Sequence, residues 1–589
     1  MRRILILVIL LPLFGSFSSV QAQTPFDLTG VDWTVAPDAG GDSMHMTMRL
    51  NPLHQRERMV LRMPLWRPGA YRYTNYQDKV SALRVTDQDG VQRELQSMDD
   101  HTWQIDADGA TSLQVDYDLA VRNDADEGAP PAYFVHNPAA FMFVDGTENL
   151  PHYLHMNLPT DWQFASGHRQ HPTLKNTWYS PNLDVFLDCP IAFGAMERYQ
   201  FELHDRPFEI VLLGKMPTAQ QFDREMWVEH VKRISDASFD VVGDYPFERY
   251  VYLFILNDLG GVSGLEHLNS TTIEVSHRMV KNGQLGPLES VTAHEFFHLW
   301  NVKRIRPEIL GPFDYSRDAH TTDLWWMEGV TSYYNDVILQ RAGLRTNQDG
   351  WFIDSQLSNR RNLENAQGYG RVSPEQASWR VWDTNSKVSY YDLGQSLGWL
   401  LDIQIRHHTQ NQRSLDDVLR ALHRWVEYPG KGLAEGDLER MIKAVSGWDC
   451  SEFFDLYIAG NNKFPFAEVL PLAGLSVREI KTGDPYLGLN VDDQMFIVRA
   501  GTDFLEGDKL ISVDGHQFAD IRSLGALIPQ LEAGSLIELV VENNGEQRAV
   551  SWTVKSRDRG SFRVQPMAEK TKLQQAIYDG LLDGTPNGV

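Results

Sequence analysis

Hydrophobic and polar positions alternate along the first third of the chain. In His45-Met46-Thr47-Met48-Arg49-Leu50, and again in Ser112-Leu113-Gln114-Val115-Asp116-Tyr117, every second residue is apolar, which is the period of a strand with one face on a core. Asp89-Gly90 and Asp145-Gly146 supply tight turns. This pattern predicts an all-β, sandwich-like domain over residues 23 to 195. The continuous apolar run from Tyr250 to Leu256 predicts a buried strand, a Gly-rich loop follows to Gly264, and Thr271 to Val275 predicts another strand. The period then lengthens. Gly286-Pro287 opens a helix over 288 to 302, lined by Leu288, Val291, Phe296, Leu299 and Trp300. Cap-type Thr321, Thr322 and Asp323 open a second helical stretch to Gln340. Residues 350 to 465 read as mostly helical, most clearly at Leu393 to Arg406 and Leu415 to Val426. Near Leu470 short strands return, with turns at Gly507-Asp508 and Asp514-Gly515, a helical run from Ile521 to Leu531 and a strand from Leu536 to Glu542. Lys572 to Leu582 predicts a docked terminal helix, with a loose tail from Asp583. The fold class is multidomain α+β.

Composition narrows the partners. With 54 Lys and Arg against 79 Asp and Glu, the net charge is -25, which argues against DNA, RNA or anionic lipid as a partner. A chain of 589 residues at 42% hydrophobic content has room for several cores. Only Cys189 and Cys450 are present, so no disulfide framework holds the fold, and the two are expected to stay unpaired. Met1 to Ala22 combines Arg2-Arg3, an apolar run from Ile4 to Phe14 and a small-residue site at Val20-Gln21-Ala22. That is the pattern of a cleaved secretory signal peptide, so a secreted, periplasmic protein without a membrane span is expected.

The candidate chemistry lies in the first of the two central helices. His294-Glu295-Phe296-Phe297-His298 is an HExxH pattern: histidines four apart share a helix face and can grip one metal ion, while Glu295 reaches a water beside it. A core helix carrying two hydrogen-bonded histidines is the plainer alternative. A catalytic zinc needs a third protein ligand. The metzincin continuation is absent, since Asn301 and Arg304 stand where its glycine and histidine would fall. Glu328, set among Trp325, Trp326, Met327, Val330 and Tyr333, is a carboxylate in apolar company that calls for a cation. Its competitors Glu308, Asp314, Asp318, His320 and Asp323 lie among turn-formers and read as a solvated loop.

HEFFHLWNVKRIRP at 294 to 307, PFDY at 312 to 315 and LWWMEGVTSYY at 324 to 334 together resemble the glycyl aminopeptidases that carry a PDZ domain, a branch of the gluzincin zinc peptidases. The resemblance implies a thermolysin-like catalytic domain over 196 to 468, one Zn2+ on His294, His298 and Glu328, and Glu295 as general base. LWRPGAYRY at 65 to 73 resembles a segment of the same family's amino-terminal domain and is read as a structural turn. Gly264-Leu265-Glu266-His267 takes the place of the Gly-x-Met-Glu-Asn element of alanyl-type aminopeptidases. By that similarity Gly264, Leu265 and Glu266 bind substrate, with Glu266 on the α-ammonium, while His267 is structural. Tyr391 falls on the tyrosine of the related Tyr-x-Lys-Gly element, which donates to the oxyanion; Leu393 replaces its lysine, and Tyr390 is an adjacent alternative. Asp336 reads either as an orienting partner of a zinc-bound histidine or as a solvated helix charge.

Residues 469 to 560 resemble a circularly permuted PDZ domain in which Leu487, Gly488 and Leu489 form the loop that receives a peptide's terminal carboxylate, or a domain that only packs. Residues 561 to 589 follow as a helix and tail. The resemblance thus implies a zinc aminopeptidase acting on peptides with a free amino terminus and a small first residue, glycine or alanine, through a zinc-activated water. Two alternatives stand beside it: a zinc endopeptidase, and a PDZ-based peptide-binding or quality-control protein with a vestigial zinc site.

Overall fold

The computed structural model describes residues 30–38, 42–51, 57–345, 350–383, 388–427, 432–491, 495–499, 504–505, 507–518 and 521–584. The leader expected at 1 to 22 lies outside them, as do the last residues of the tail. Strands Gly30–Pro37, Ser43–Asn51 and Leu113–Ala120 run side by side in a seven-stranded sheet, with Met46 opposite Tyr117 and Met48 opposite Val115. The alternation read from the sequence puts Met46, Met48 and Leu50 inward. There they meet Trp33, whose ring stands edge-on to Phe141 at 4.9 Å. Four-stranded and three-stranded sheets complete this β-rich part.

A five-stranded sheet follows, in the order Glu197–Leu203, Arg206–Gly214, Tyr250–Asn257, Ser270–Ser276, Val262–Glu266. Its three middle strands are parallel, and every residue of Tyr250–Asn257 is buried, as the apolar run required. Val262–Glu266 turns back antiparallel and forms the sheet's edge. Helix Arg224–Val242 begins at Asp223, whose side chain accepts from Met226 N, and stops at Gly243 with φ +87°. It shares one continuous core with the sheet and with the helices that follow.

Two of those helices differ from their sequence reading. The first spans Gly286–Phe297 rather than reaching 302. After His298 the backbone tightens, with Leu299 N bonding Phe296 O and Trp300 N bonding Phe297 O, and Asn301 turns away to partners on the next helix. The second is not uniform: Trp325–Val330 is a π-helical turn, and the ordinary helix Thr331–Arg341 follows. Beyond them the helices Trp351–Asn365, Tyr390–His408, Leu415–Glu427 and Asp437–Ser446 form the helical part.

Strands Leu475–Tyr486 and Lys555–Pro566 pair antiparallel from Leu475 opposite Pro566 to Tyr486 opposite Lys555. Between them lies a smaller unit with its own core of Leu510, Val513, Leu539, Val541 and Trp552. It holds a four-stranded sheet, a short strand pair and helix Ile521–Leu527. Helix Lys572–Asp583 then returns to the helical part and buries Ile577 and Leu581 there, while Asn411 Nδ2 donates to Ala576 O at 2.9 Å and Gln574 Nε2 to Pro471 O at 2.9 Å. Cys189 and Cys450 are buried and free. No helix among the described residues is long and apolar enough to cross a membrane.

Candidate active site

His294 and His298 lie on one face of helix Gly286–Phe297 and its cap, and Glu328 comes from the π-helical turn to meet them. The two Nε2 atoms are 3.0 Å apart, and Glu328 Oε2 stands 3.4 Å from His294 Nε2 and 3.2 Å from His298 Nε2. His298 Nδ1 is 2.7 Å from the Asn301 carbonyl. A carbonyl only accepts, so the proton sits on Nδ1 and a neutral His298 turns its Nε2 lone pair toward His294 and Glu328. Three acceptors then converge on one point, which calls for a cation. Ligand atoms arranged tetrahedrally around zinc at about 2.0–2.1 Å stand about 3.3 Å from one another, and the observed triangle has that size. The residues fit the metal.

The electrostatics show the same need for a cation. Burial disfavours charge on His298, but Glu328, with Glu266 and Glu295 behind it, overrides burial and raises the imidazole to about 10, so the positive charge the carboxylates call for would be an Nε2 proton, which a bound dication would displace to leave the neutral ligand. Burial likewise opposes ionisation of Glu328, and the two histidines overcome it and hold the carboxyl well below its ordinary range. Glu295 has no such support. Burial and the like charges of Glu266 and Glu328 raise it, only His298 opposing them, and its Oε2 is buried without a hydrogen-bond partner. A dication at the histidines would counter both effects.

Asn301 ties the helix of His294 to the turn of Glu328. Its Nδ2 donates to Trp326 O at 2.9 Å and to Thr331 Oγ1 at 3.0 Å, while its own carbonyl orients His298. A π turn leaves carbonyls without their helical partners, and Asn301 takes up one of them. Sequence reasoning used this position only to exclude metzincins; a polar residue three beyond the second histidine, amid apolar neighbours, was the available signal. Gly329 and Gly394 bring the Glu328 turn against helix Tyr390–His408: a Cβ on Gly394 would lie 1.7 Å from Trp325 O, and one on Gly329 would lie 2.4 Å from Gly394 Cα. The first turn of that helix therefore carries Tyr390 and Tyr391 to the site. Their rings stack at 4.8 Å, and the Tyr391 ring lies 6.0 Å from that of His294. Tyr391 is 36% exposed, but desolvation around its hydroxyl, followed by the charges of Glu328, Tyr390, Glu295 and Glu266, raises it above the ordinary phenol value, so it is a hydroxyl donor.

The edge strand Val262–Glu266 passes directly over Glu295. A Cβ on Gly264 would strike the Glu295 side chain at 2.3–2.5 Å, so glycine is required at that crossing. Leu265 and Glu266 are buried, and the Glu266 carboxylate lies within 4.8 Å of the ligand atoms of Glu295 and His298. Gly264, Leu265 and Glu266 thus share the site with His294, His298 and Glu328. His267 points elsewhere, toward Asp188 at 3.6 Å in a network where Lys303 Nζ meets Asp188 at 2.6 Å. Asp336 contacts neither His294 nor His298 and is buried. It accepts from Ser355 Oγ at 2.6 Å, Gln356 Nε2 at 2.8 Å and Gln395 Nε2 at 3.1 Å, and Ser332 Oγ, 3.5 Å from His294 Nδ1, stands where an orienting partner would. The LWRPGAYRY segment, read as a structural turn, reaches the cleft: Gly69, Ala70 and Tyr71 line it beside Ser389, Tyr390 and Tyr391. Nothing local in the sequence marks that placement. Leu487, Gly488 and Leu489 belong to the smaller unit's core and take no part in this site.

Residues 288–397 match the M61 glycyl aminopeptidase family and residues 35–195 match the peptidase M61 N-terminal domain. The first stretch contains His294, Glu295, His298, Glu328 and Tyr391, and the second contains Gly69 and Tyr71. No curated protein matches the chain significantly. Among solved structures, the fold is similar to that of an aminopeptidase N family protein from Idiomarina loihiensis, at 20% identity and a TM-score of 0.81, covering 94% of this chain and 100% of that one. A yeast LTA4 hydrolase in complex with bestatin is more distant, at 14% identity and a TM-score of 0.47 over 76% of this chain and 71% of that one. Two stretches of the chain thus match M61 peptidase models, within a fold similar to that of an aminopeptidase N family protein.

Proposed function

We propose that the protein is an exported zinc aminopeptidase that removes small amino-terminal residues, glycine or alanine, from peptides. The observation that carries this reading is the convergence, in one buried pocket, of His294, His298 and Glu328 on a single point, with the bare Glu295 carboxylate and Glu266 beside it. His294, His298 and Glu328 would hold the zinc, which when bound supplies Lewis-acid polarisation of the scissile carbonyl and acidifies a water near neutral pH. Glu295 accepts that water's proton and delivers it to the leaving amine. The Tyr391 hydroxyl donates to the oxygen on which negative charge develops. Edge strand Val262–Glu266 offers backbone groups to an extended peptide. Glu266 makes no ion pair among the described residues and is buried, so it suits an α-ammonium; pairing with it sets the amino end one residue from the zinc.

The smaller unit is read as a permuted PDZ domain. Gly488, at φ +72°, has Lys555 Nζ 2.9 Å from where its Cβ would stand, which adds a cation to a loop suited to a peptide carboxylate. Export rests on the leader pattern of residues 1 to 22 alone. The test is hydrolysis of a short glycine-leading peptide by the zinc-loaded protein, with free and acetylated amino termini compared and Glu295→Gln as the blank. Cleavage only of the free form, abolished in Glu295→Gln, is expected; equal cleavage of both forms would make the enzyme an endopeptidase.

A further inference from the structure

The Gly69-Ala70-Tyr71 turn comes from the N-terminal β domain and ends inside the cleft of the catalytic part. A Cβ on Gly69, whose φ is +83°, would meet Leu265 Cδ1 at 2.4 Å and the two Glu266 carboxylate oxygens at 3.2 and 3.3 Å. Glycine therefore lets the turn come up against Glu266 itself. Two residues on, Tyr71 has φ +43°, a left-handed backbone that bulky side chains avoid and that persists only where the surroundings enforce it. Here they do: the Trp66 ring stacks on Tyr71 at 6.3 Å and Trp382 stands edge-on to it at 6.1 Å.

The residue is 8% exposed, and its ring lines the cleft with Tyr390 and Tyr391. Among the described residues its hydroxyl makes no hydrogen bond. A phenol that lines the cleft on a strained backbone, in the turn that comes up against a buried carboxylate without an ion pair, is placed to meet a ligand there. Burial, with Glu328, Tyr390 and Glu266 acting in the same direction, raises Tyr71 well above the ordinary phenol value, so it stays neutral and its oxygen is free to accept.

We propose that Tyr71 is a substrate-binding residue, its phenol oxygen accepting a hydrogen bond from the α-ammonium of the peptide that Glu266 holds. The proposal rests on the aminopeptidase reading above and extends it: the amino-terminal subsite is built jointly by the β domain and the catalytic part. An ammonium offers three donors, and a carboxylate on one side with a phenol oxygen on another fixes its direction as well as its charge.

The test uses the full zinc-loaded chain carrying Glu295→Gln, so that bound peptide is not cut, and calorimetric titration with glycyl-leucyl-leucine and its N-acetyl form. The free peptide is expected to bind more tightly than the acetylated one. Adding Tyr71→Phe, which keeps the ring and its packing, should weaken the free peptide about tenfold, the cost of one hydrogen bond to a charged group, and leave the acetylated peptide unchanged. In turnover, Tyr71→Phe alone should raise KM by a similar factor with kcat retained. If acetylation still weakens binding but Tyr71→Phe changes nothing, the contact is overturned and the aminopeptidase reading stands. If Glu295→Gln does not prefer the free amine, that reading falls and the Tyr71 contact with it.

Discussion

Replacing Gly394 with alanine would drive a methyl group into the contact between the Glu328 turn and the helix that carries Tyr391. The new Cβ would stand 1.7 Å from Trp325 O and 2.7 Å from Gly329 Cα. Carbon and carbonyl oxygen ordinarily approach no closer than about 3.3 Å, so the two elements must part by more than about 1 Å. Both obstructing atoms are backbone, and no rotamer change relieves them. Overpacking of this kind costs about 1–3 kcal/mol. The functional effect is larger, because a 1 Å displacement of a positioned group costs about 100-fold in rate. Gly394→Ala should therefore lower the thermal unfolding midpoint and cut kcat on a glycine-leading peptide by about 100-fold, while zinc content, measured by atomic absorption, is kept. Gly525 in helix Ile521–Leu527 has nothing within 4 Å of its Cβ position, so Gly525→Ala is the control and should be neutral or slightly stabilising. Wild-type kcat and midpoint in Gly394→Ala would refute the argument that this backbone contact sets the place of Tyr391.

Asn301→Ala removes the bonds to Trp326 O and Thr331 Oγ1 while keeping the carbonyl that orients His298. A loss of about 2–4 kcal/mol in stability and a fall of about 10–100-fold in zinc affinity are expected, read by thermal unfolding and chelator competition; unchanged zinc affinity would count against a role in supporting Glu328. Asp336 is raised by burial from its ordinary 3.8 to about 6, against the opposing donation of Ser355, Gln395 and Gln356. A folded value above the unfolded one gives stability that is complete below about pH 4 and is lost as the pH rises through about 6. Asp336→Asn should then be the more stable protein at pH 7.5, by no more than about 3 kcal/mol, with the gap closing toward pH 4.5. Parallel unfolding profiles for the two proteins across that range would exclude the effect.

What was legible in the sequence is what local spacing determines. Histidines four apart share a helix face wherever the helix lies, and a glutamate amid tryptophans needs a cation whatever the topology. The strand Tyr250–Asn257 could be read for the same reason, since an unbroken apolar run is buried on both faces. The rest depends on partners far away in the chain. The π turn at Glu328 is supported by the Asn301 side chain, and helix Gly286–Phe297 ends early where Leu299 and Trp300 take tighter bonds to Phe296 O and Phe297 O. Asp336 carries a helix-surface pattern, but its surface is covered by helix Trp351–Asn365 and Gln395. Tyr71 looks like part of a turn, and its place in the cleft follows only once the β domain has docked beside Glu266.

The paired strands Leu475–Tyr486 and Lys555–Pro566 have a topological consequence. Because the chain comes back to bury Ile577 and Leu581 in the helical part, everything between the two strands is an insertion, entered and left at a single point. A two-residue hairpin turn joining Tyr486 to Lys555 would close the chain without breaking any other connection, which makes the smaller unit separable by one genetic edit. While it is present, it is joined by twelve paired residues, a double strand about 40 Å long whose Leu475, Val477 and Val564 pack on the helical part, rather than by a single-chain linker. A two-stranded arm swivels less freely than a single chain, so a ligand held on the smaller unit would meet the helical part over a narrower range of positions, its local concentration set by the arm rather than by linker slack.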